Sequence, residues 1–446
     1  MSTLEQMGLR VARGSAEGMS APVREAIRLH LADIATAWVA GARTHEGREL
    51  LEAAAKGDQG PFGTGLLSRV ALHCALTRLS EIDDIHLAAG TTPGAALIPT
   101  ALTLAAAWGE SSVQHLEAAI AAGYDAMVRL SEEMGGAGIL YRGIWPTYFN
   151  APIGAAAVAS RLLGLDPVQT AHALGLALVV AAPNVGQQLG KTGRWLLFGG
   201  AVRNGVMAAL SAREGFTADL GLLDKPFHAV FGLKPDTRRL LESLDKPASI
   251  LEVSFKPWCA ARQTMAAAQG LKELLSQGLQ TAQIEAIHVA VPPAYLAMVN
   301  HGVVAGDRSS HMTSLPYQLV LAALAPEMMN RLDFAPQPTP PEHQALMARI
   351  TVAADETLMA YFPQSWPARL EVKARSGTIE RLVTNIPGDP ARAFDRAQVR
   401  HKMEQVLSPL LAASEVRSIC NSALQVFDDP AGPRRLVDQI VQLQGS

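Results

Sequence analysis

The feature that most constrains this chain is a change of hydrophobic period. Up to about residue 245, apolar positions recur at helical spacing in an Ala- and Leu-rich sequence. Near Pro247 the character shifts to short β-branched runs with two-residue alternation, and after Pro390 the helical spacing returns. The expectation is a mainly α protein. A large all-helical domain over residues 1–245 and 397–446 carries an inserted, smaller α+β lid domain over 246–396. Helices are expected at 25–42, 100–108 and 112–132, the last two separated by Gly109. Asp166-Pro167 reads as a helix start, with Asp as the cap, Pro in the first turn and Gln169 at the capping-box position. Small residues recur at 154–160 and 199–209, which permits close helix approach, and no strand is expected in this half. In the insertion, strands are expected at 287–291, 349–352, 369–372 and 378–383. Helices are expected there at 260–275 and 315–323, with a Pro-rich surface loop at 336–341. Helices at 397–407 and 433–443 return the chain to the helical body. A cleft between two such domains is the usual place for a small-molecule site.

Composition narrows the function. Apolar residues are 49% and charged residues 18%, a globular profile. Lys plus Arg is 38 against 41 Asp plus Glu, a net charge of −3, which argues against broad binding to nucleic acid or anionic lipid. Aromatics are only 5%, too few for a base-stacking platform. Cys74, Cys259 and Cys420 are far apart, which fits a reducing cytosol and neither a disulfide scaffold nor a zinc ribbon. The N-terminus has no signal-peptide core. The uncharged stretch 167–190 is interrupted by polar residues, and its solidly apolar part, 173–182, is too short to span a membrane. The reading is a soluble cytoplasmic protein with neither nucleic acid nor membrane as partner.

Common cofactor motifs fail on inspection. The run Gly186 to Thr192 is one residue short of a phosphate loop and follows an apolar helix, not a strand. Gly60 to Gly65 lacks the strand–turn–helix setting of a dinucleotide site. Asp83, Asp84 and His86 are spaced so as to suggest a metal, but read better as the polar cap of a helix end. No metal or nucleotide cofactor is expected.

Five segments, in order, resemble the MmgE/PrpD family, which includes 2-methylcitrate dehydratase, cis-aconitate decarboxylase and iminodisuccinate epimerase. They are Glu81-Ile-Asp-Asp-Ile-His86 with Thr92-Pro93 and the run 101–105, then 151–166, Arg194 to Ala201 with 208–217, Ser254-Phe-Lys-Pro-Trp-Cys259, and Ser314-Leu-Pro-Tyr317. The resemblance implies a helical domain with an α+β lid, a homodimer, no obligatory organic cofactor and a small di- or tricarboxylate substrate. It places the family lysine at Lys256, the family tyrosine at Tyr317 and the acidic positions at Glu81, Asp83 and Asp84. Where the family commonly has histidines, this chain has Thr92, Trp145 and Gln263, and where it has a lysine this chain has Arg194, with Lys191 three residues earlier.

The shared chemistry of such enzymes is proton removal from carbon next to a carboxylate. That needs cations for the carboxylates and a base poised near neutral pH. Lys256 and Tyr317 are therefore the expected proton-transfer groups. Arg194 is the expected carboxylate clamp, since its fork grips a carboxylate in bidentate fashion. Lys191, Glu81, Asp84, His86, Thr92 and Trp145 complete the expected binding set, with Trp145 as packing or pocket wall. Cys259 reads as a small buried hydrophobe. Dehydration needs an acid for the leaving hydroxyl, and the histidines suited to it are replaced. Epimerisation needs only two proton-transfer groups, so an epimerase is expected ahead of a dehydratase or decarboxylase. A non-catalytic binding dimer is the further alternative.

Overall fold

A computed structural model of the chain describes residues 1–14, 18–110, 112–181, 193–225, 232–246, 248–332 and 339–445. Lys191, the whole phosphate-loop-like run 186–192 and part of the Pro-rich run 336–341 lie outside them. The chain divides into two units. One is assembled from Met1–Gln187, Thr192–Phe255 and Asp395–Ser446, and the other centres on Lys256–Phe394.

Among the described residues the first unit is helical, with only isolated bridges such as Ile85 to Ser254 in place of strands. Its long helices start where the sequence supplies a reason. Ser20 precedes Ala21–Ala42, whose second residue is Pro22. Asp166 accepts from Val168 N and Gln169 N, and Gln169 reciprocates in a full capping box. Gly109 adopts φ 72° and ends Gly94–Trp108, while Ser112 caps Val113–Glu133. Gly94–Trp108 therefore begins six residues earlier than periodicity alone placed it, and runs through Pro99. Proline conceals that extension from a sequence reading, because it removes a backbone donor.

The core of this unit packs Val113–Glu133 on Pro146–Leu162 and the latter on Gly193–Arg213. Leu4, Met7, Phe149, Ile153 and Leu174 are among its buried side chains. Glycine sets how near the helices come. A Cβ on Gly205 would lie 2.1 Å from the Pro152 carbonyl oxygen, and one on Gly199 2.4 Å from that of Ala71. No helix among the described residues is long and apolar enough to cross a membrane.

The second unit holds a four-stranded sheet in the order β2-β1-β3-β4, with β1 Ile284–Val291, β2 Ile350–Ala354, β3 Ala368–Ala374 and β4 Gly377–Val383. β1 pairs parallel with β2 and antiparallel with β3, and β3 pairs antiparallel with β4. Alternate residues Ile287, Val289 and Val291 are buried, as are Ala368, Leu370 and Val372 of β3. Arg262–Ser276 packs on β3 and β4, and Leu315–Leu324 packs on Arg262–Ser276. The buried Arg262 guanidinium holds Asp389 at 2.9 and 2.8 Å, and Asp389 also accepts from Ile386 N at 2.7 Å. This ties the end of the unit back to its first long helix.

The close approach at Gly205 gives a direct test. Gly205→Ala forces backbone apart and should lower stability by about 1–3 kcal/mol despite alanine's better helix propensity. Thermal unfolding measures it, and an unchanged or raised Tm would show that the two helices separate freely.

Candidate functional site

In the first unit the segment Glu81 to His86 is buried and crowded with charge. Asp84 accepts from Gly94 N at 2.8 Å and Tyr124 OH at 2.7 Å, and the His30 Nδ1 lies 2.9 Å from it. Asp33 pairs with Lys402 at 2.5 Å, and Lys402 also donates to the Ile82 carbonyl at 3.0 Å. Burial pushes the Asp33 carboxyl up, and Lys402 opposes that shift. Ile85 and Ser254 exchange backbone hydrogen bonds of 2.9 and 2.8 Å, and the next residue, Phe255, stacks on His30 with ring centroids 4.2 Å apart.

One end of this segment carries the paired arginines. Arg78 donates to Glu81 at 2.8 Å and Asp83 at 3.1 Å, and Arg194 donates to Glu81 at 2.6 Å. Burial works against the Arg78 charge, and Asp83 and Glu81 more than restore it. The Arg194 guanidinium lies over the Trp195 ring at 3.8 Å and the Trp145 ring at 5.5 Å, two cation–π contacts. Glu81 has φ 62°, in the left-handed region that a non-glycine residue adopts at a cost, and such strain concentrates at functional sites. Tyr148 lies near these charges, and burial pushes its hydroxyl pKa up to about 12.

The expected binding residues of this unit thus have protein partners. Arg194 holds Glu81, and all the contacts of Asp84 named above are with protein groups. Thr92 donates from its backbone to Thr147 Oγ1 at 3.0 Å. Trp145 precedes Pro146–Leu162 and lies under the Arg194 guanidinium. Lys191 lies outside the described residues.

His86 sits in a tight turn after its helix, bridged to Thr91, and does not cap the helix end. With Glu132 and Glu252 it forms a cluster whose ligand atoms lie within 4.8 Å of one another. Its ring chemistry opposes a metal. Ala89 N–H donates to His86 Nδ1 at 3.1 Å, so the neutral ring carries its proton on Nε2, 3.5 Å from Glu252. A metal would need that same nitrogen as a lone pair. The His86 bond holds the Glu252 carboxyl below its ordinary range.

The second unit holds Lys256 and Tyr317, both buried. The Ser314-Leu-Pro-Tyr317 motif is a helix start. The Ser314 hydroxyl caps Leu315–Leu324 by accepting from Tyr317 N at 3.3 Å, and Pro316 suits the first turn. That places Tyr317 in a small cavity of about 40 Å³ with His311, Arg308, Arg331 and Cys259. The space suits one functional group of a substrate rather than a whole polycarboxylate. Burial pushes the Tyr317 phenol up and the His311 imidazole down, so both are neutral near pH 7. The two rings meet edge-on with centroids 4.8 Å apart. Cys259 is buried with its thiol 3.4 Å from Met312 Sδ, as a small hydrophobe would be. Sequence reasoning missed His311, Arg308 and Arg331. His311 and Arg308 occupy a short helix, Arg308–Thr313, that ends at Ser314, and their only signal was a polar run directly preceding the motif; Arg331 follows a separate one-turn helix, Pro326–Asn330.

Two measurements test this description. Asp84→Ala removes one partner from a buried charged network and should cost about 3–5 kcal/mol in unfolding free energy; a loss under about 1 kcal/mol would contradict a structural role. After incubation with zinc and desalting, elemental analysis should find no zinc held by His86, Glu132 and Glu252. One zinc per chain, lost in Glu252→Gln, would overturn the tautomer argument.

The MmgE/PrpD N-terminal domain model matches residues 5–234 and the C-terminal domain model matches residues 258–425. A cis-aconitate decarboxylase-like protein, oryM, of Aspergillus oryzae is 32% identical over 155 residues, 33% of this chain and 32% of that protein. A cis-aconitate decarboxylase of Aspergillus terreus is 27% identical over 169 residues, 36% of this chain and 34% of that protein. These matches span about a third of the curated relatives' length. With its two domain models matched over most of the sequence and in order, the chain belongs to the MmgE/PrpD family.

Proposed function

We propose that the protein is a lyase of small polycarboxylates that develops negative charge on carbon next to a carboxylate and loses CO2 or water. The observation that carries this reading is the Tyr317 cavity, where a phenol and an imidazole, both held neutral by burial, share space with two arginines. Arginine suits a carboxylate, and neutral acid–base groups near pH 7 suit a carbon acid. The preference for epimerisation rested on the replacement of the family histidines. His311 supplies an imidazole beside Tyr317 and removes that premise, and both relatives named above are called cis-aconitate decarboxylases or decarboxylase-like.

In this reading Tyr317 and Lys256 serve proton transfer and charge stabilisation. Arg308 and Arg331 hold a carboxylate. For Arg194 the proposal is an exchange of partners, with a substrate carboxylate taking the place of Glu81.

The test is turnover of a panel of cis-aconitate, a 2-hydroxy tricarboxylate and iminodisuccinate, with released CO2, loss of water and change of optical rotation each followed. Loss of CO2 or water from a tricarboxylate is expected. Arg194→Lys should then raise KM more than it lowers kcat, because the fork is lost while the charge stays. Stereochemical inversion of a dicarboxylate alone, or binding without turnover, would contradict the lyase reading.

A further inference from the structure

We infer that His311 is an acid–base group of the reaction, with Nε2 as the atom that exchanges a proton with the substrate carbon and Tyr317 as its partner acid. The inference rests on the lyase reading and deepens it, since neither the family motif nor the relatives' names assign a role to this residue.

Geometry fixes which nitrogen acts. His311 Nδ1 lies 2.9 Å from the Asp307 carbonyl oxygen, which can only accept, so Nδ1 carries the proton. The Ser310 hydroxyl, 3.3 Å away, adds a second contact on the same nitrogen. Nε2 is left with its lone pair, and among the described residues it has no hydrogen-bond partner. The ring is nearly buried, yet it lines the Tyr317 cavity. A backbone carbonyl that orients an imidazole through Nδ1–H is the usual way to present Nε2 as a base. The Tyr317 hydroxyl likewise has no hydrogen-bond partner among the described residues. This contrasts with Asp84, whose oxygens are shared among three protein groups.

The charged and titratable groups around the ring are Asp307, Arg308, Arg331, Tyr317 and Cys259. Burial lowers the imidazole pKa from its ordinary 6.5, and the Asp307 carbonyl and charge oppose this in part. Nε2 is therefore an acceptor at neutral pH, and Tyr317, pushed up by burial, is a donor.

In an elimination the C–H bond next to the carboxylate breaks and its proton goes to Nε2. Its electron pair forms the C=C bond, and the C–O bond breaks with the hydroxyl leaving as water on the Tyr317 proton. The imidazolium then returns a proton to the phenolate. In a decarboxylation the C–C bond breaks and CO2 leaves. The electron pair stays on carbon and is quenched by a proton that Nε2 takes from Tyr317 and hands to that carbon, and the phenolate is then reprotonated from solvent.

The experiment compares the wild-type chain, His311→Gln and Tyr317→Phe on whichever polycarboxylate turns over, with hydrogen–deuterium exchange at carbon read alongside. His311→Gln should lower kcat by about 10²–10⁴-fold with a smaller change in KM, and should abolish deuterium exchange. The acid limb of the wild-type kcat/KM profile should fall below pH 6.5 and vanish in the variant. Independently of activity, nitrogen-resolved spectra of isotope-labelled histidine should show His311 with its proton on Nδ1, and this readout survives if the variant fails to fold. Wild-type kcat and an intact acid limb in His311→Gln, or a proton found on Nε2, would overturn the inference. If the wild-type chain neither turns over nor exchanges any polycarboxylate, the lyase reading itself fails, and the role of His311 in it falls too.

Discussion

Asp84 lies out of contact with solvent, and its two carboxylate oxygens are shared among the N-terminus of one helix, a tyrosine hydroxyl and a histidine ring. A buried carboxylate is costly unless each lone pair is met, so these partners cannot be chosen independently. Together they fix Gly94–Trp108, Val113–Glu133 and Ala21–Ala42 about one point. The neighbouring Ile82 carbonyl and Asp33 both engage Lys402 of Arg396–Leu407, which joins the last chain segment of the helical unit to the same point. Ile85 pins Ser254 by a pair of backbone bonds, two residues before Lys256. The acidic segment is thus the place where the three segments of the discontinuous unit are held.

The two clusters of ionisable groups differ in a way that separates structure from chemistry. Around Glu81–Asp84, Arg78 and Arg194 hold the carboxylates of Glu81 and Asp83, and Glu81 has a positive φ. In the second unit, Tyr317 and His311 line the cavity and are held by backbone and ring contacts. A neutral phenol beside a neutral imidazole can move a proton.

Much of this was legible in the sequence. The change of period near Pro247 announces a helical part and a sheet-bearing part, because burying one face of a helix or a strand imposes its own repeat. Asp166-Pro167 and Gly109 were legible as punctuation, and the four strands were placed to within a few residues. The lysine and tyrosine came from motifs. The S-L-P-Y run has a physical meaning as a capped helix start, which fixes Tyr317 on the first turn. His311 was hidden because its helix is too short to show a period and because the Asp307 carbonyl that orients it is backbone, which no side-chain pattern encodes. The helical start at Gly94 was hidden by Pro99. The partners of Asp84 were hidden because His30, Tyr124 and Lys402 are separated by long stretches of chain, and single-sequence reasoning does not pair distant residues.

In the lyase reading proposed above, the Tyr317 cavity receives the reacting end of a polycarboxylate. That reading is tested most directly by a crystal structure with tricarballylate, a saturated tricarboxylate that lacks a leaving group. One carboxylate is expected within hydrogen-bond distance of Arg308 or Arg331, with the adjacent carbon facing His311 Nε2 and the Tyr317 hydroxyl. The analogue bound elsewhere on the protein, with His311 and Tyr317 untouched, would contradict it.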